Sequence, residues 1–339
     1  MTNWLITGGC GFIGTQLIST LARDSVNNLC VVDNLSVGDK PTLEAAFGAA
    51  VIDRASDDFS FFAEGTAGQC ALVTADIMDA ELALKVCQQA DAIVHLAANT
   101  GVHPSVLDPR TDCNANVLGT LNYLEGARHS RGKRFVFASS GAPVGEVKTL
   151  PIHEELPVNP VSPYGASKLA GEGYCSAYSQ TFEVDTVALR FGNVYGPGSA
   201  NKSSVVAKFI KHALAGEPLE IYGNGKQTRD FIYVEDLVEA ITLAATRAGV
   251  GGHKFQIATN RESTVAEVAE MVTAILGNFG VKDLQVNYQG ARLGDVMRNY
   301  SDVSKAAEKL GWTPQHDLQA GLEKTIKYFY DNHRGQSVE

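Results

Sequence analysis

A glycine-rich turn near the N-terminus constrains the fold of this chain more than any other feature. The apolar run at 4–7 leads directly into Gly8-Gly9-Cys10-Gly11-Phe12-Ile13-Gly14, and the apolar residues that follow recur at helical spacing. Glycines here allow a tight turn and a close approach of backbone N–H groups to a pyrophosphate, while the helix N-terminus adds partial positive charge. The pattern predicts a strand, a turn and a helix that bind a dinucleotide through Gly8, Gly11, Phe12, Ile13 and Gly14.

Short apolar runs alternate with helical stretches over the first half of the chain. Strands that are apolar throughout, with helices between them, are typical of a parallel sheet covered on both faces. The sequence therefore predicts an α/β fold, a doubly wound parallel sheet of Rossmann type. The predicted strands are 4–7, 29–33, 71–76, 92–96, 134–139 and 185–190.

The residues at the ends of these strands indicate which dinucleotide is bound. Asp33 ends the second strand, where an acid accepts hydrogen bonds from the adenosine ribose and repels a 2′-phosphate, so it favours NAD over NADP. His95 is interpreted as a buried, hydrogen-bonded histidine. Because the carboxyl ends of parallel strands meet at one edge of a sheet, further NAD contacts are expected from Asp76, Ile77, Leu96, Ala97 and Ala98.

Turn-forming glycine and proline residues recur after Gly192 and predict a second, smaller unit. Helical stretches are predicted near 203–215, 235–247, 264–277 and 302–310. We expect an NAD-binding Rossmann domain over 1–190, with later segments at about 229–260 returning to it, and a smaller C-terminal α/β substrate-binding domain over 191–339. The segment 39–69 is interpreted as a partly helical insertion at the sheet edge.

Charge and cysteine usage exclude several classes of partner. Lys and Arg number 28 against 38 Asp and Glu, a formal net charge of -10, which opposes binding to a nucleic-acid backbone or an anionic membrane surface. The six cysteines are scattered without a CxxC pair, so no metal cluster is expected and most thiols should be small buried groups. With no leader pattern or long apolar run, the chain is expected to be cytoplasmic.

A tyrosine and a lysine form the candidate catalytic pair. Ser162-Pro163 is a helix start signal, and Tyr164 and Lys168, four residues apart, then lie on one helical face. A phenol with a pKa of about 10 is a poor base at neutral pH, but a nearby ammonium and a positive nicotinamide ring stabilise the phenolate. Tyr164 is therefore the candidate general base. Ser140, at the end of the fifth strand, is expected to hydrogen-bond the same substrate oxygen.

Together these motifs resemble the extended short-chain dehydrogenase/reductase superfamily, and within it the UDP-glucose 4-epimerase type. The resemblance covers nearly the whole chain and includes HLAA, SPYGASK, RFGN, RDFI and RLGD. It implies that Tyr164 takes the proton of the sugar 4-hydroxyl, that Lys168 also holds the nicotinamide ribose, and that a 4-keto sugar turns over before hydride returns. It assigns further NAD contacts to Asn34, Ser36, Asn116, Ser139 and Phe191, beside Tyr164 and Lys168. It assigns a UDP-sugar to Ser140, Asn193, Val205, Tyr222, Arg229, Arg292, Asp295 and Asn299.

Differences from related families reduce the number of possible reactions and substrates. Gly141 follows Ser140 where dehydratases and uronate decarboxylases carry an acid, and Asn193 and Ala200 replace the Thr and Arg that hold a uronate carboxylate. A neutral hexose is therefore favoured. Val144 replaces the tyrosine of a VYG motif, so the pocket floor is expected to have a different shape. Asn299 stands at the position that gates the pocket, and its intermediate size suggests that N-acetyl sugars are accepted beside glucose and galactose.

Two alternatives remain open from the sequence. One is another sugar-nucleotide enzyme on the same scaffold, such as a net oxidoreductase, a dehydratase or an epimerase at another carbon. The other, of a different class, is an NAD-binding regulator without catalysis. The resemblance also implies a homodimer formed through the helix at 114–127 and the helix of Tyr164.

Overall fold

The computed structural model describes residues 2–55, 62, 68–132, 134–291 and 296–336. An eight-stranded parallel sheet in the order β12-β7-β6-β5-β1-β2-β4-β3 forms its centre. The strands are β1 (Thr2–Thr7), β2 (Asn27–Asp33), β3 (Ile52–Arg54), β4 (Cys70–Thr74), β5 (Ala92–His95), β6 (Arg134–Ser140), β7 (Asp185–Phe191), β8 (Asn193–Tyr195), β9 (Leu219–Tyr222), β10 (Thr228–Arg229), β11 (Phe231–Tyr233), β12 (His253–Ile257), β13 (Ser263–Thr264) and β14 (Val286–Gln289).

Helices cover both faces of this sheet. The helices are α1 (Phe12–Leu21), α2 (Lys40–Phe47), α3 (Ala80–Cys87), α4 (Val102–Leu107), α5 (Pro109–Cys113), α6 (Thr120–Arg128), α7 (Pro163–Phe182), α8 (Val205–Leu214), α9 (Val234–Thr246), α10 (Val265–Asn278) and α11 (Leu318–Gln336). A wider turn with π-type hydrogen bonds at Asn114–Gly119 makes α5 and α6 continuous. The predicted Rossmann architecture and its six central strands are confirmed.

Each face of the sheet has its own apolar core. Alternate strand residues pack against α1 and α9 on one face and against α3, α6 and α7 on the other. Both sets are fully buried, which explains why the strands are apolar throughout instead of alternating with polar residues.

The C-terminal half builds a third core around α8, α10 and α11. Its short strands pair outside the main sheet, β8 with β11, β9 with β14 and β10 with β13. By contrast β12 pairs with β7 and extends the main sheet, although it lies within the segment 229–260, far along the chain. The C-terminal half of the chain therefore adds a strand to the main sheet and also builds a core of its own.

The segment 39–69 contains both a helix and a strand. Asp39 caps α2 by accepting a hydrogen bond from the Thr42 N–H group, and β3 forms the edge of the sheet against β4. The interpretation as a partly helical insertion at the sheet edge agrees with these elements. Residues 56–61 and 63–67 lie outside the described part of the chain.

Candidate active site

One cavity of about 1920 Å³ runs across the carboxyl edge of the sheet and into the C-terminal half. Strand register explains its position, because Thr7 of β1 stands opposite Val32 of β2 and His95 of β5. Most predicted site residues line its wall. They are Gly8, Gly11, Phe12, Ile13, Gly14, Asp33, Asn34, Ser36, Asp76, Ile77, Leu96, Ala97, Ala98, Ser139, Ser140, Tyr164, Lys168, Phe191, Asn193, Val205, Tyr222 and Arg229.

The glycine turn fits a bound pyrophosphate. Gly8 has a φ of 70°, and a Cβ on it would lie 2.7 Å from the Ala97 backbone nitrogen. A Cβ on Gly14 would lie 2.5 Å from the Gly8 carbonyl oxygen, so both positions exclude side chains. Helix α1 begins at Phe12 without a side-chain cap, which leaves N–H donors of its first turn directed at the cavity.

Asp33 is held in place by two backbone donors. Its Oδ2 accepts from the Cys10 N–H group at 2.9 Å, and its Oδ1 accepts from the Leu35 N–H group at 2.9 Å. A carboxylate has about four acceptor sites, so capacity for ribose hydroxyls is retained. Asn34 donates to Asp76 at 3.0 Å, which ties the ends of β2 and the segment after β4 together.

His95 is confirmed as a buried, hydrogen-bonded histidine. Its Nδ1 pairs with Thr7 Oγ1 at 2.9 Å and its Nε2 with Thr120 Oγ1 at 3.2 Å. Burial first, and then the charge of Lys168, lowers the pKa of His95 to about 3. The ring is therefore neutral at physiological pH and serves the structure beneath the cavity.

The candidate catalytic residues come together as the sequence predicts. Ser162 caps α7 by accepting from the Gly165 N–H group at 3.1 Å, so Tyr164 and Lys168 share a face of this helix. The Tyr164 N–H group donates to Ser105 Oγ at 3.1 Å, which fixes the first turn against α4. Lys168 Nζ lies 5.9 Å from the centre of the Tyr164 ring. Ser140 completes the group on the cavity wall.

Burial dominates the electrostatics of Tyr164 and Lys168. Burial raises the pKa of Tyr164 to about 12, a hydrogen bond with Ser140 acts in the opposite direction, and the charge of Asp112 raises the pKa further. Burial lowers the pKa of Lys168 to about 8, against the charge of Asp112. The positive charge that makes the phenol a base must therefore offset the cost of burying the phenolate, and the expectation that a nearby ammonium and a positive nicotinamide ring supply it together stays a prediction.

A buried polar network lies behind Tyr164 and Lys168. Glu172 on α7 accepts from Ser139 Oγ at 2.6 Å, and it binds Arg190 of β7 through both of its oxygens at 2.8 and 2.7 Å. Helix α7 is thus held to β6 and β7 directly behind the cavity.

Asn116, which the sequence predicts as a cofactor contact, is not among the cavity-lining residues. Its amide donates to the Asn99 carbonyl at 2.9 Å, to Asp112 at 2.9 Å and to Ser167 Oγ at 3.1 Å, and its oxygen accepts from the Asn99 N–H group at 2.8 Å. With its polar atoms used inside the protein, it positions the cavity-lining Asn99 and the neighbour of Lys168.

The remaining positions predicted to contact or shape the substrate pocket have different outcomes. Asn299 does not line the cavity, because its segment lies against β10, where its N–H group donates to Thr228 Oγ1 at 3.4 Å. Arg292 and Asp295 lie outside the described residues. Val144 is buried in a short 3-10 turn and does not line the cavity, whereas Ala142 from the same turn does. The effect of Val144 on the shape of the pocket floor stays a prediction.

Lys202 is a cavity residue that the sequence analysis missed. It follows a short 3-10 turn, Ser199–Asn201, and a single lysine in a polar loop carries little sequence signal. The basic residue three positions before the start of α8 at Val205 was the available clue. In the described residues, no group of three His, Cys, Asp or Glu side chains is placed to hold a metal, and none of the helices described could cross a membrane.

The fold and the cavity define a dinucleotide-dependent enzyme of the extended short-chain dehydrogenase/reductase class. A sequence profile of the NAD dependent epimerase/dehydratase family matches residues 4–258. The chain belongs to this family, and its cofactor is NAD.

Individual relatives are similar over nearly the full length. The UDP-glucose 4-epimerase of Mycolicibacterium smegmatis is 37% identical over 329 residues, which cover 96% of this chain and 97% of the relative. The structure of UDP-glucose 4-epimerase from Thermotoga maritima with UDP-glucose has a TM-score of 0.85 at 32% identity, covering 97% of this chain and 99% of the other. The structure of UDP-N-acetylglucosamine 4-epimerase from Methanobrevibacter ruminantium with UDP-N-acetylmuramic acid has a TM-score of 0.85 at 30% identity, covering 98% and 99%.

Proposed function

We propose that this protein is an NAD-dependent nucleotide-sugar epimerase that interconverts UDP-glucose and UDP-galactose by transient oxidation at C4. The observation that carries the proposal is the placement of Ser140, Tyr164 and Lys168 on the wall of the same cavity that runs along the glycine turn. The relatives named as UDP-sugar 4-epimerases support the substrate class.

The residues of the chain account for the proton transfer. In the proposed reaction Tyr164 removes the proton of the sugar 4-hydroxyl while Ser140 holds the same oxygen. NAD, when bound, supplies a reversible hydride acceptor and a positive ring. That ring is needed because the protein alone raises the pKa of Tyr164 to about 12, chiefly by burial, and positive charge stabilises the phenolate. Lys168 adds charge and holds the nicotinamide ribose.

The size of the cavity suits an epimerase. A volume of about 1920 Å³ exceeds the roughly 300–1,000 Å³ of ordinary small-molecule sites, which agrees with space for a dinucleotide and a nucleotide sugar together. The same space allows a 4-keto sugar to turn over, so that its opposite face is presented for reduction. No substrate leaves between the two half-reactions.

The UDP moiety is assigned to the C-terminal wall of the cavity. Asn193, Val205, Tyr222 and Arg229 line this wall, and arginine is suited to bidentate phosphate contacts. Arg229 Nη1 also donates to the Val296 carbonyl at 2.6 Å, which holds β10 against the segment that follows Arg292 and Asp295, the other two proposed contacts.

UDP-N-acetylglucosamine and its epimer are a second proposed substrate pair, supported by the similarity to the UDP-N-acetylglucosamine 4-epimerase of Methanobrevibacter ruminantium. Control of this choice by Asn299 stays a prediction from the resemblance. Comparing turnover of both pairs in wild type and in Asn299→Ala tests it, since absence of N-acetyl turnover in both proteins contradicts the proposal.

We further propose a homodimer through α7 and the continuous helix of α5 and α6. Leu118 and Tyr174 on these helices are 44% and 39% exposed, and large exposed apolar groups of this kind suit an interface. All six cysteines are free thiols, which is the usual state in a reducing compartment and supports a cytoplasmic location.

A panel of UDP- and dTDP-sugars, incubated with the purified protein without added NADH, tests the proposed function. Nuclear magnetic resonance resolves the C4 epimers. Formation of a C4 epimer without net NADH is expected. Net NADH release, loss of water from the sugar or inversion at another carbon would instead identify one of the alternative reactions, and a regulator would bind the sugar without converting it.

A further inference from the structure

The loop that carries Lys202 packs against the first turns of α1. Gln16 Nε2 on this helix approaches the Pro197 carbonyl oxygen at 3.5 Å. A Cβ added to Gly198 would lie 3.5 Å from Phe12 Cδ2 and 3.8 Å from Gln16 Nε2, so the loop and the helix are in contact. Because the N–H donors in the first turn of α1 are directed at the cavity, this loop of the C-terminal half lies beside the site that fits the NAD pyrophosphate.

Lys202 lines the cavity at the end of this loop, and hydrogen bonds fix its backbone. The Lys202 N–H group donates to the Ser199 carbonyl at 2.9 Å. Ser199, which is fully buried, donates through Oγ to the Gly196 carbonyl at 2.7 Å. Lys211 on α8 donates to the carbonyls of Ala200 and Lys202 at 2.9 and 3.4 Å. The position of Lys202 near α1 is therefore part of the fold.

The charge of Lys202 has no partner carboxylate in the part of the chain that the structure describes. Burial lowers the pKa of its ammonium group, and none of the described carboxylates acts in the opposite direction. A half-buried cation is costly unless an anion pairs with it. Since the cavity fits ligands that carry phosphates, a bound phosphate group is the anion that suits this position.

Charge complementarity favours the pyrophosphate of NAD over the diphosphate of the substrate. Among the described residues of the cavity wall, the Lys and Arg side chains are Lys168, Lys202, Lys211 and Arg229. Lys211 donates to the loop carbonyls, Lys168 is assigned to the nicotinamide ribose, and Arg229 to the substrate diphosphate. The first turn of α1, residues 12–15, contains no basic residue. Lys202 is therefore the cation that remains for the NAD pyrophosphate.

We propose that Lys202 binds the pyrophosphate of NAD, so that the loop 196–202 of the C-terminal half retains the cofactor beside the glycine turn. Release of NAD then requires this charge pair to break. Slow release suits an enzyme whose NAD is regenerated in each catalytic cycle. The proposal concerns cofactor binding and does not depend on which nucleotide sugar reacts.

The rate of NAD release tests this assignment. Purified NAD-loaded wild type, Lys202→Met, Lys202→Arg and the control Lys226→Met, an exposed lysine that does not line the cavity, are diluted into an excess of isotope-labelled NAD. Mass spectrometry follows the exchange. A hydrogen bond to a charged group contributes enough that Lys202→Met should release NAD about tenfold to a hundredfold faster. Lys202→Arg should restore most of this difference, and Lys226→Met should match wild type.

Two further measurements separate a lost charge pair from a structural effect. Release from wild type should accelerate with ionic strength more steeply than release from Lys202→Met, because salt screens a charge pair that the variant lacks. The dissociation constant of UDP, measured by calorimetry on each NAD-loaded protein, should be the same in Lys202→Met and wild type. Circular dichroism shows whether Lys202→Met is folded.

Several outcomes would overturn the proposal. Release of NAD from Lys202→Met at the wild-type rate would exclude a contact with the pyrophosphate. Weaker binding of UDP with unchanged release of NAD would assign Lys202 to the substrate diphosphate. Faster release with the salt dependence of wild type would show a structural effect of the substitution. Because these measurements require no conversion of a sugar, they decide the role of Lys202 even if the proposed function fails.

Discussion

Removing the charge of Glu172 should destabilise the protein strongly, because it leaves a buried guanidinium without its counter-ion. The side chains of Arg190 and Glu172 are 0% and 6% exposed and 2.7 Å apart, and Glu172 also accepts from Ser139. Breaking a buried ion pair from one side costs about 3–5 kcal/mol. Glu172→Gln keeps the shape of the side chain and is therefore the appropriate perturbation.

The assay is equilibrium unfolding in urea, compared with the double variant Glu172→Met/Arg190→Met. At a slope of about 3 kcal/mol per M, a loss of 3–5 kcal/mol lowers the unfolding midpoint by about 1 to 1.7 M. The double variant should lose much less, because replacing a whole buried pair by apolar groups is often close to neutral. A single variant that costs under about 1 kcal/mol, or a double variant that costs more than the single one, would refute this reasoning.

Three further predictions address the cofactor site, the pH dependence and the assembly. Gly8→Ala should abolish NAD retention in the purified protein, because the new Cβ would lie 2.7 Å from the Ala97 nitrogen at a φ of 70°; retention of NAD at the wild-type level would contradict the fit. Turnover should fall as pH rises through about 8, where Lys168 loses its proton, and Asp112→Asn should move this fall to lower pH because the carboxylate raises that pKa. An unchanged pH profile would show that the protonation state of Lys168 does not control turnover. Leu118→Arg should convert a dimer into a monomer in light scattering, whereas an unaltered mass would exclude this helix from the interface.

Local patterns predicted those features whose causes are local. The strands 134–139 and 185–190 are apolar because both sheet faces are covered. A continuous apolar run of this kind can be recognised in the sequence before the fold is known. The Ser162-Pro163 signal likewise placed the start of α7 because capping depends on adjacent residues. The helix α11 was not predicted, although Asp317 caps it by accepting a hydrogen bond from the Ala320 N–H group at 2.8 Å and an aspartate before a helix is a start signal.

Features that depend on packing could not be predicted in the same way. The pKa of Tyr164 moves upward chiefly because of burial, which only the assembled cavity produces. Asn116 matches a motif, but its amide pairs with Asp112 of the same helix and with Asn99 and Ser167 from two other segments, which keeps it away from the cavity. Lys202 lines the cavity only because the turn Ser199–Asn201 folds against it. Distances between remote segments decided each of these cases.

The fate of the C4 hydrogen tests the central claim most directly. A UDP-glucose sample carrying deuterium at C4 is incubated with the purified enzyme without added NADH, and the product is examined by nuclear magnetic resonance. The account predicts UDP-galactose with the deuterium retained at C4, and a rate about 10² to 10⁴ lower in Tyr164→Phe. Loss of the deuterium to water, or a Tyr164→Phe rate within tenfold of wild type, would contradict it.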